Sequence, residues 1–491
     1  MNDKSIEKNN ELLNQIRSTI TPPNDYESLN KTHRNLALNA TNSNYVDVLK
    51  ENLVNRAISM DFNFEKWDEF FSSFPTTLEK MIDTIFVPKK VKRYLEKSVS
   101  RKELKKIDPN HKIAIEKLLL IVSNFKTYET SKNQKNRFKK ISHQVIQTLA
   151  RRKRSNTCYS SFAIKLLEKH KIIEVKKNKY GSDDFQAGSH NRSMRLTEEY
   201  FNCRYIEYQL QSSQAIENRI SSILFMFDAV NFSNPIIQNL FNVYVRISLP
   251  TVEEIHVRAK ELISGGYQSK GKKLVYLNNR KKDDLKESHR FVEEHIRIYQ
   301  FLERKIRIPL ESKNNPDGRI YCFLAMMPKW IREMVKIDGE EVEECDFKCL
   351  HPNLIMNIYE GDSKYITHKK TSELANIELD KVKKEHLSFF NRHENDMMKS
   401  PLWEYYNKHE PKMMIKLCND KKSKSPWYKI TSARLLTLEV KLMKKIIAKL
   451  NSEEIYVVYV FDALYVKKSV AARVREVMNQ TAIEMGIYTT V

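Results

Sequence analysis

Ile455-Tyr456-Val457-Val458-Tyr459-Val460-Phe461-Asp462-Ala463-Leu464-Tyr465-Val466 is an apolar, β-branched and aromatic run broken by one carboxylate. Its composition predicts buried strand on both sides of Asp462. An uncompensated buried charge is costly, so Asp462 must face water at a turn, pair with a base or bind a cation. A plain hairpin turn would account for it alone. A second carboxylate stands in Val342-Glu343-Glu344-Cys345-Asp346-Phe347, a strand-like segment leading through Leu350-His351-Pro352 into a helix over 353–359. Pro352 suits the first helical position, and Asp346 by itself reads as a helix cap. Together, one aspartate in a hairpin and one at a strand exit are what a pair of divalent cations needs. Such ions take hard oxygen ligands from adjacent strands.

The composition around these segments narrows the function classes. In 491 residues, 85 Lys+Arg stand against 62 Asp+Glu, a formal net charge of +23, which points to a polyanionic partner. A hydrophobic content of 41% supports packed cores and excludes wholesale disorder. Only 9 glycines occur, which argues for a helix-rich chain. Neither G-x-G-x-x-G nor G-x-x-x-x-G-K-[ST] is present, so a dinucleotide fingerprint and a P-loop motor are both excluded. The 6 cysteines form no C-x-x-C pair and read as free thiols in a reducing compartment. Cys345, Cys349 and His351 lie close in sequence, but no second ligand pair follows at finger spacing, so zinc is not expected there. With no long apolar run and a polar, charged start, the chain is expected to be cytoplasmic, without a membrane partner.

Four regions follow. Residues 1–131 read as helical, with Phe70, Phe71, Phe74, Leu78, Met81, Ile82 and Ile85 at helical spacing and Pro88 ending the run. Residues 132–204 open with nine basic and no acidic residues from Lys132 to Arg154. A like-charge block alone is most simply a solvated face. Here it is followed by one helix through Ile141, Val145, Ile146 and Leu149, and by a second carrying Phe162, Leu166 and Leu167. Strand-like runs at 172–175 and 193–196 come next. Helix, turn, helix and hairpin with a long basic tip reads as a winged-helix-like DNA-binding module. In it Arg151, Arg152, Lys153 and Arg154 would meet phosphates. A basic packing module is the alternative. Residues 205–315 read as mostly helical, and 316–491 carry the two aspartates.

Gly318-Arg319-Ile320, Met327-Pro328, Ile331-Arg332 and Cys345-Asp346-Phe347-Lys348-Cys349-Leu350-His351 resemble, in order, the T-G-R, N-I-P, R-x-I-R and D-Y-S-Q-I-E succession of family A DNA polymerases. Phe461-Asp462-Ala463 is similar to their H-D-E hairpin and to the H-D-S of single-subunit, phage-type RNA polymerases. The resemblance covers about residues 316 to 475. It implies an α+β, helix-rich chain with a right-hand palm at the C-terminus, a fingers insertion near 362–440 and a thumb-like stretch over 205–315.

The activity it implies is two-metal nucleotidyl transfer with Mg2+, or Mn2+ in its place. Asp346, Asp462 and the Phe347 carbonyl would be ligands, and DNA template, primer and nucleoside triphosphates would be partners. Lys383, in Leu379-Asp380-Lys381-Val382-Lys383, fills the family's triphosphate-binding Lys position, and Asn391 stands where the family has Tyr. Lys412 and Lys416 are the reserve candidates. His351 takes the position that selects the sugar, while Arg319 and Arg332 would hold the duplex or nearby acidic groups. Leu379, Phe461 and Ala463 depart from the family pattern. The expected function is therefore a DNA-dependent DNA polymerase of a phage or mobile element. An RNA polymerase or primase, and a DNA-binding initiator or regulator with a vestigial palm, are the alternatives.

Overall fold

The computed structural model describes residues 45–73, 78–125, 138–141, 146–147, 149, 160–178, 180–183, 192–201, 203–269, 271–277, 289–303, 308–311, 318–422 and 429–491. Among them the chain is helix-rich α+β, and no helix is long and apolar enough to cross a membrane.

The first apolar core is built from residues 85–215. It gathers Val91, Leu118, Ile164, Leu167, Ile173 and Met194, each fully buried aliphatic side chain contributing about 1.5–3 kcal/mol. Helix α1 (Tyr45–Ile58) lies outside this core. The expected single helix through Phe70 to Ile85 is instead two short helices, Trp67–Ser72 and Leu78–Asp83, followed by strand β1 (Thr84–Pro88). Phe74 lies outside the described residues. The sequence Thr-Ile-Phe-Val favours strand, and its antiparallel partner, reached 120 residues later, is invisible to local periodicity. Helix α2 (His111–Val122) starts at Asn110, whose side chain accepts from the Lys112 and Ile113 N–H groups.

Then come β2 (Lys139–Lys140), α3 (Ser160–Lys169), β3 (Ile173–Val175), β4 (Ser193–Leu196) and β5 (Tyr205–Gln209), the partner of β1. Strands β3 and β4 form the expected hairpin, with β2 added on the far side of β4. Leu166 and Leu167 are buried as expected. Phe162, read as their companion, is 47% exposed, because Ala163 and Ile164 take the inward positions. Arg151, Arg152, Lys153 and Arg154 lie outside the described residues.

The second core gathers side chains from residues 49–82, 220–308 and 320–487. Helix α4 (Ser213–Asp228) packs on α1. Helix α5 (Pro235–Tyr244) leads to β6 (Ile247–Ser248), α6 (Val252–Ser264) and α7 (Val292–Glu303). Then follow β7 (Lys336–Ile337), β8 (Glu340–Asp346), α8 (Leu350–Tyr359), α9 (His368–Ala375), α10 (Leu379–His386), α11 (Leu402–His409), α12 (Ile430–Ser452), β9 (Val458–Val460), β10 (Ala463–Lys467) and α13 (Ala471–Glu484). Helix α8 begins at Leu350, so Pro352 is its third residue and not its first. One antiparallel sheet, ordered β9-β10-β8-β7-β6, carries the two aspartate-bearing segments. Buried Asn239 of α5 clamps its edge: the side-chain amide donates to the Val457 carbonyl at 2.7 Å, and the Val457 N–H donates back at 2.9 Å. Helix α12 packs against α5, α8 and α13, of which α5 and α13 contact the sheet.

Candidate active site

Strand register brings the two sequence-predicted aspartates together. Asp346, the last residue of β8, pairs across the ladder with Ala463, the first residue of β10. Val460 pairs with the same alanine, so Phe461 and Asp462 form a two-residue hairpin loop at that end of the sheet. Phe461 holds a φ of 59°, the left-handed region that such a loop normally fills with glycine. A bulky residue there is strained. Its ring is held by the Arg319 guanidinium, 4.7 Å from the centroid, and by edge contacts with Tyr321 and Tyr459. These contacts offset the backbone cost and fix where Asp462 sits.

The Asp462 charge raises the proton affinity of Asp346, which keeps an exposed surface although packed neighbours partly desolvate its carboxyl. Burial, then the Asp462 charge, then that of Glu344, push Asp346 up to about 7, against the opposing pull of Lys329. Burial and then the Glu439 charge raise Asp462, against His351 and Arg319. Glu344, two residues before Asp346 on the same strand face, is held by Lys329 and by the Tyr465 hydroxyl at 2.6 Å. Phe347 buries its ring, and its N–H donates to Asp346. The turn that follows is fastened by the Lys348 N–H to the Thr490 carbonyl at 2.7 Å.

Glu439, fully buried on α12, is the acidic residue that sequence reasoning missed. Arg319 grips it with two nitrogens, at 2.9 and 2.7 Å to one oxygen, and His351 Nε2 meets the other at 2.8 Å. Burial alone would raise Glu439, but the His351 and Arg319 hydrogen bonds outweigh it and hold the carboxyl below its usual range. A signal was available. Leu435, Leu442 and Met443, at helical spacings from Glu439, are all buried, so the charge falls on an apolar face.

The other candidates separate. Arg332 is no surface duplex contact: it is 7% exposed and donates to the Leu324 carbonyl at 3.0 Å and to the Tyr465 hydroxyl at 3.2 Å. Its neighbours Trp330 and Ile331 carry it into the core, where three chain carbonyls need a donor. Arg319 meets the nearby acid, Glu439. Lys383 on α10 is half-exposed and pairs at 3.5 Å with Asp380, and the cations felt by the two aspartates are Lys329, His351 and Arg319. Asn391 accepts from the Ser432 hydroxyl at 2.7 Å, close to the start of α12. Lys412 pairs with Asp362 and Lys416 with Glu360.

What the geometry offers is two carboxylates at one sheet end, Asp346 exposed and Asp462 half-buried, both with raised proton affinity, an arrangement suited to a hard divalent ion. Compared with known proteins, the chain matches no family model and no curated relative.

Proposed function

We infer that the chain is a template-directed nucleotidyltransferase, a DNA-dependent DNA polymerase of a phage or mobile element, with Asp346 and Asp462 as its paired metal ligands. The observation that carries this reading is the pair itself: two aspartates brought to one end of a sheet by strand register, each with its proton affinity raised. A divalent cation removes that cost, and hard carboxylate oxygens on adjacent strands suit Mg2+. Bound there, with the Phe347 carbonyl as a further ligand, Mg2+ supplies activation of a primer hydroxyl and neutralises the pyrophosphate leaving group.

The protein's own groups would do the rest. Asp346 and Asp462 must both be ionised, which favours working pH above about 7, the value to which Asp346 is raised. Glu439 holds His351 and Arg319 beside Asp462, so His351 borders the sugar pocket in a fixed orientation. Lys383 is tied to Asp380 by an exposed pair of the kind worth about 0.3–0.5 kcal/mol, weak enough to yield to a triphosphate. Upstream, α3 followed by a hairpin with β2 on its edge supports a winged-helix DNA-binding module, with the basic run at 151–154 on the phosphate backbone.

The test is extension of a labelled primer on DNA and RNA templates, with dNTPs or NTPs, in Mg2+ or Mn2+, beside an unprimed control. Templated extension that Asp346→Asn and Asp462→Asn both abolish supports the reading, and the preferred nucleotide separates DNA from RNA synthesis. A folded protein that binds duplex in a salt-sensitive way and incorporates nothing overturns it in favour of a DNA-binding initiator.

A further inference from the structure

Three residues past Asp346, Cys349 enters a second cluster that no sequence spacing announces. Its Sγ lies 3.5 Å from Nδ1 of His368, the first residue of α9, and that Nδ1 lies 2.7 Å from Nδ1 of His386, the last residue of α10. Nε2 of His386 meets the Tyr406 hydroxyl at 2.7 Å. Cys349, His386 and Tyr406 are buried, and His368 is half-buried at the outer side. Among the described residues this is the one group of three such side chains whose ligand atoms all lie within 4.8 Å of one another.

Hydrogen bonding alone does not satisfy this arrangement. An imidazole nitrogen carries either one proton or one lone pair, directed in the ring plane. Nδ1 of His368 nonetheless faces both the Cys349 sulfur and the His386 nitrogen. One proton or lone pair there aligns with only one of the two, the Cys349 sulfur meanwhile accepting the His368 backbone N–H, inside an apolar shell that includes Phe389 and Phe390. A cation at the meeting point would satisfy all three atoms at once.

We propose that Cys349, His368 and His386 bind a zinc-class transition-metal ion through Sγ, Nδ1 and Nδ1. The donor set is soft sulfur with two imidazoles, which selects zinc-class metals over Mg2+. Tetrahedral bonds of about 2.0–2.3 Å place ligand atoms about 3.3–3.6 Å apart. The Cys349–His368 separation of 3.5 Å already fits, and the two imidazoles must part by about 0.6 Å. Tyr406 accepts the remaining His386 N–H, the supporting hydrogen bond that metal-binding histidines usually have. Three protein ligands leave a fourth position for water, reached from the half-exposed His368 side.

The scaffold is built to hold the ligands. Buried Asn353 on α8 donates to the Cys349 carbonyl and the Ile366 carbonyl, both at 2.9 Å, and accepts from the Ile366 N–H at 2.8 Å. It thereby fixes Cys349 against the segment that enters α9. The bound ion would fasten the turn after Asp346 to α9 and α10, making a site distinct from the aspartate pair.

The experiment uses the full chain, dialysed against a chelator and titrated with Co2+. Expected is about one Co2+ per chain showing thiolate-to-cobalt charge transfer in the near ultraviolet, displaced by Zn2+. Cys349→Ala removes this band, whereas Asp346→Asn keeps it, which separates the cluster from any metal held by the aspartates. Tyr406→Phe weakens Zn2+ by about 10-fold or more. If Cys349→Ala does not fold, His368→Gln, on the half-exposed side, must abolish the Zn2+-induced rise in melting temperature. A folded wild type without the thiolate band, or a band that survives in Cys349→Ala, overturns the proposal.

Discussion

Two sets of carboxylates lie close together in this protein, and their surroundings are opposite. Glu439 is completely enclosed, yet the Arg319 guanidinium and the His351 imidazole meet its oxygens, and its carboxyl is held below its usual range. At the sheet end, Asp346 feels the charges of Asp462 and Glu344, Asp462 feels that of Glu439, and both are raised. Desolvation raises all three carboxyls; hydrogen bonds from basic side chains outweigh it at Glu439 alone. A compensated carboxylate supports the fold, whereas an uncompensated pair persists because something else is meant to balance it.

Substitutions should expose this difference. Asp462→Asn is expected to cost more than about 100-fold in templated incorporation. In chelator, its melting temperature should stay unchanged or rise, because one of two repelling charges is gone. Glu439→Gln is expected to do the reverse in kind, costing about 3 kcal/mol in denaturant unfolding, since Arg319 loses its charged partner. If Asp462→Asn instead unfolds the protein, the pair is structural and the contrast collapses.

The pH dependence sharpens the comparison further. Between its ordinary value of 3.8 and about 7, Asp346 holds more proton in the folded chain than in the unfolded one. Metal-free stability should therefore fall as pH rises through that window, with the penalty absent below it and complete above. The slope must be read as the difference between wild type and Asp346→Asn. This removes the opposite trend of buried histidines such as His295, which burial lowers to about 4. Equal slopes in the two proteins would mean that Asp346 is not raised. The smallest effect belongs to Lys383→Ala, expected to raise KM for the nucleotide by about 10-fold or less and to leave stability within about 0.5 kcal/mol. An unchanged KM would remove Lys383 from the triphosphate site.

How much of this the sequence made legible depends on whether a local signal existed. The aspartate pair was readable because a carboxylate interrupts a β-branched run at Asp462 and another stands at the exit of the strand-like segment ending at Asp346. The hairpin at β3 and β4 was readable for the same alternation, whereas β2 was not, because Lys139-Lys140 looks like charge and becomes strand only through its pairing with β4. Arg332 misled because a guanidinium is normally exposed, and its burial follows from carbonyls that only the fold brings near. The Cys349, His368 and His386 convergence had no signal at all, since the three come from the starts and ends of separate helices.

The ladder between β8 and β10 also has a kinetic meaning. Asp346 and Asp462 are separated by about a hundred residues, so closing that loop costs about 4 kcal/mol of chain entropy before the ladder repays it. The intervening helices can form early from local contacts, but the strand pairing is long-range and slow. During refolding, helical signal should therefore appear first, and the ability to bind Mg2+ should arrive only with the last cooperative step. A chain arrested before that step would look largely folded by its helices and still lack the paired aspartates.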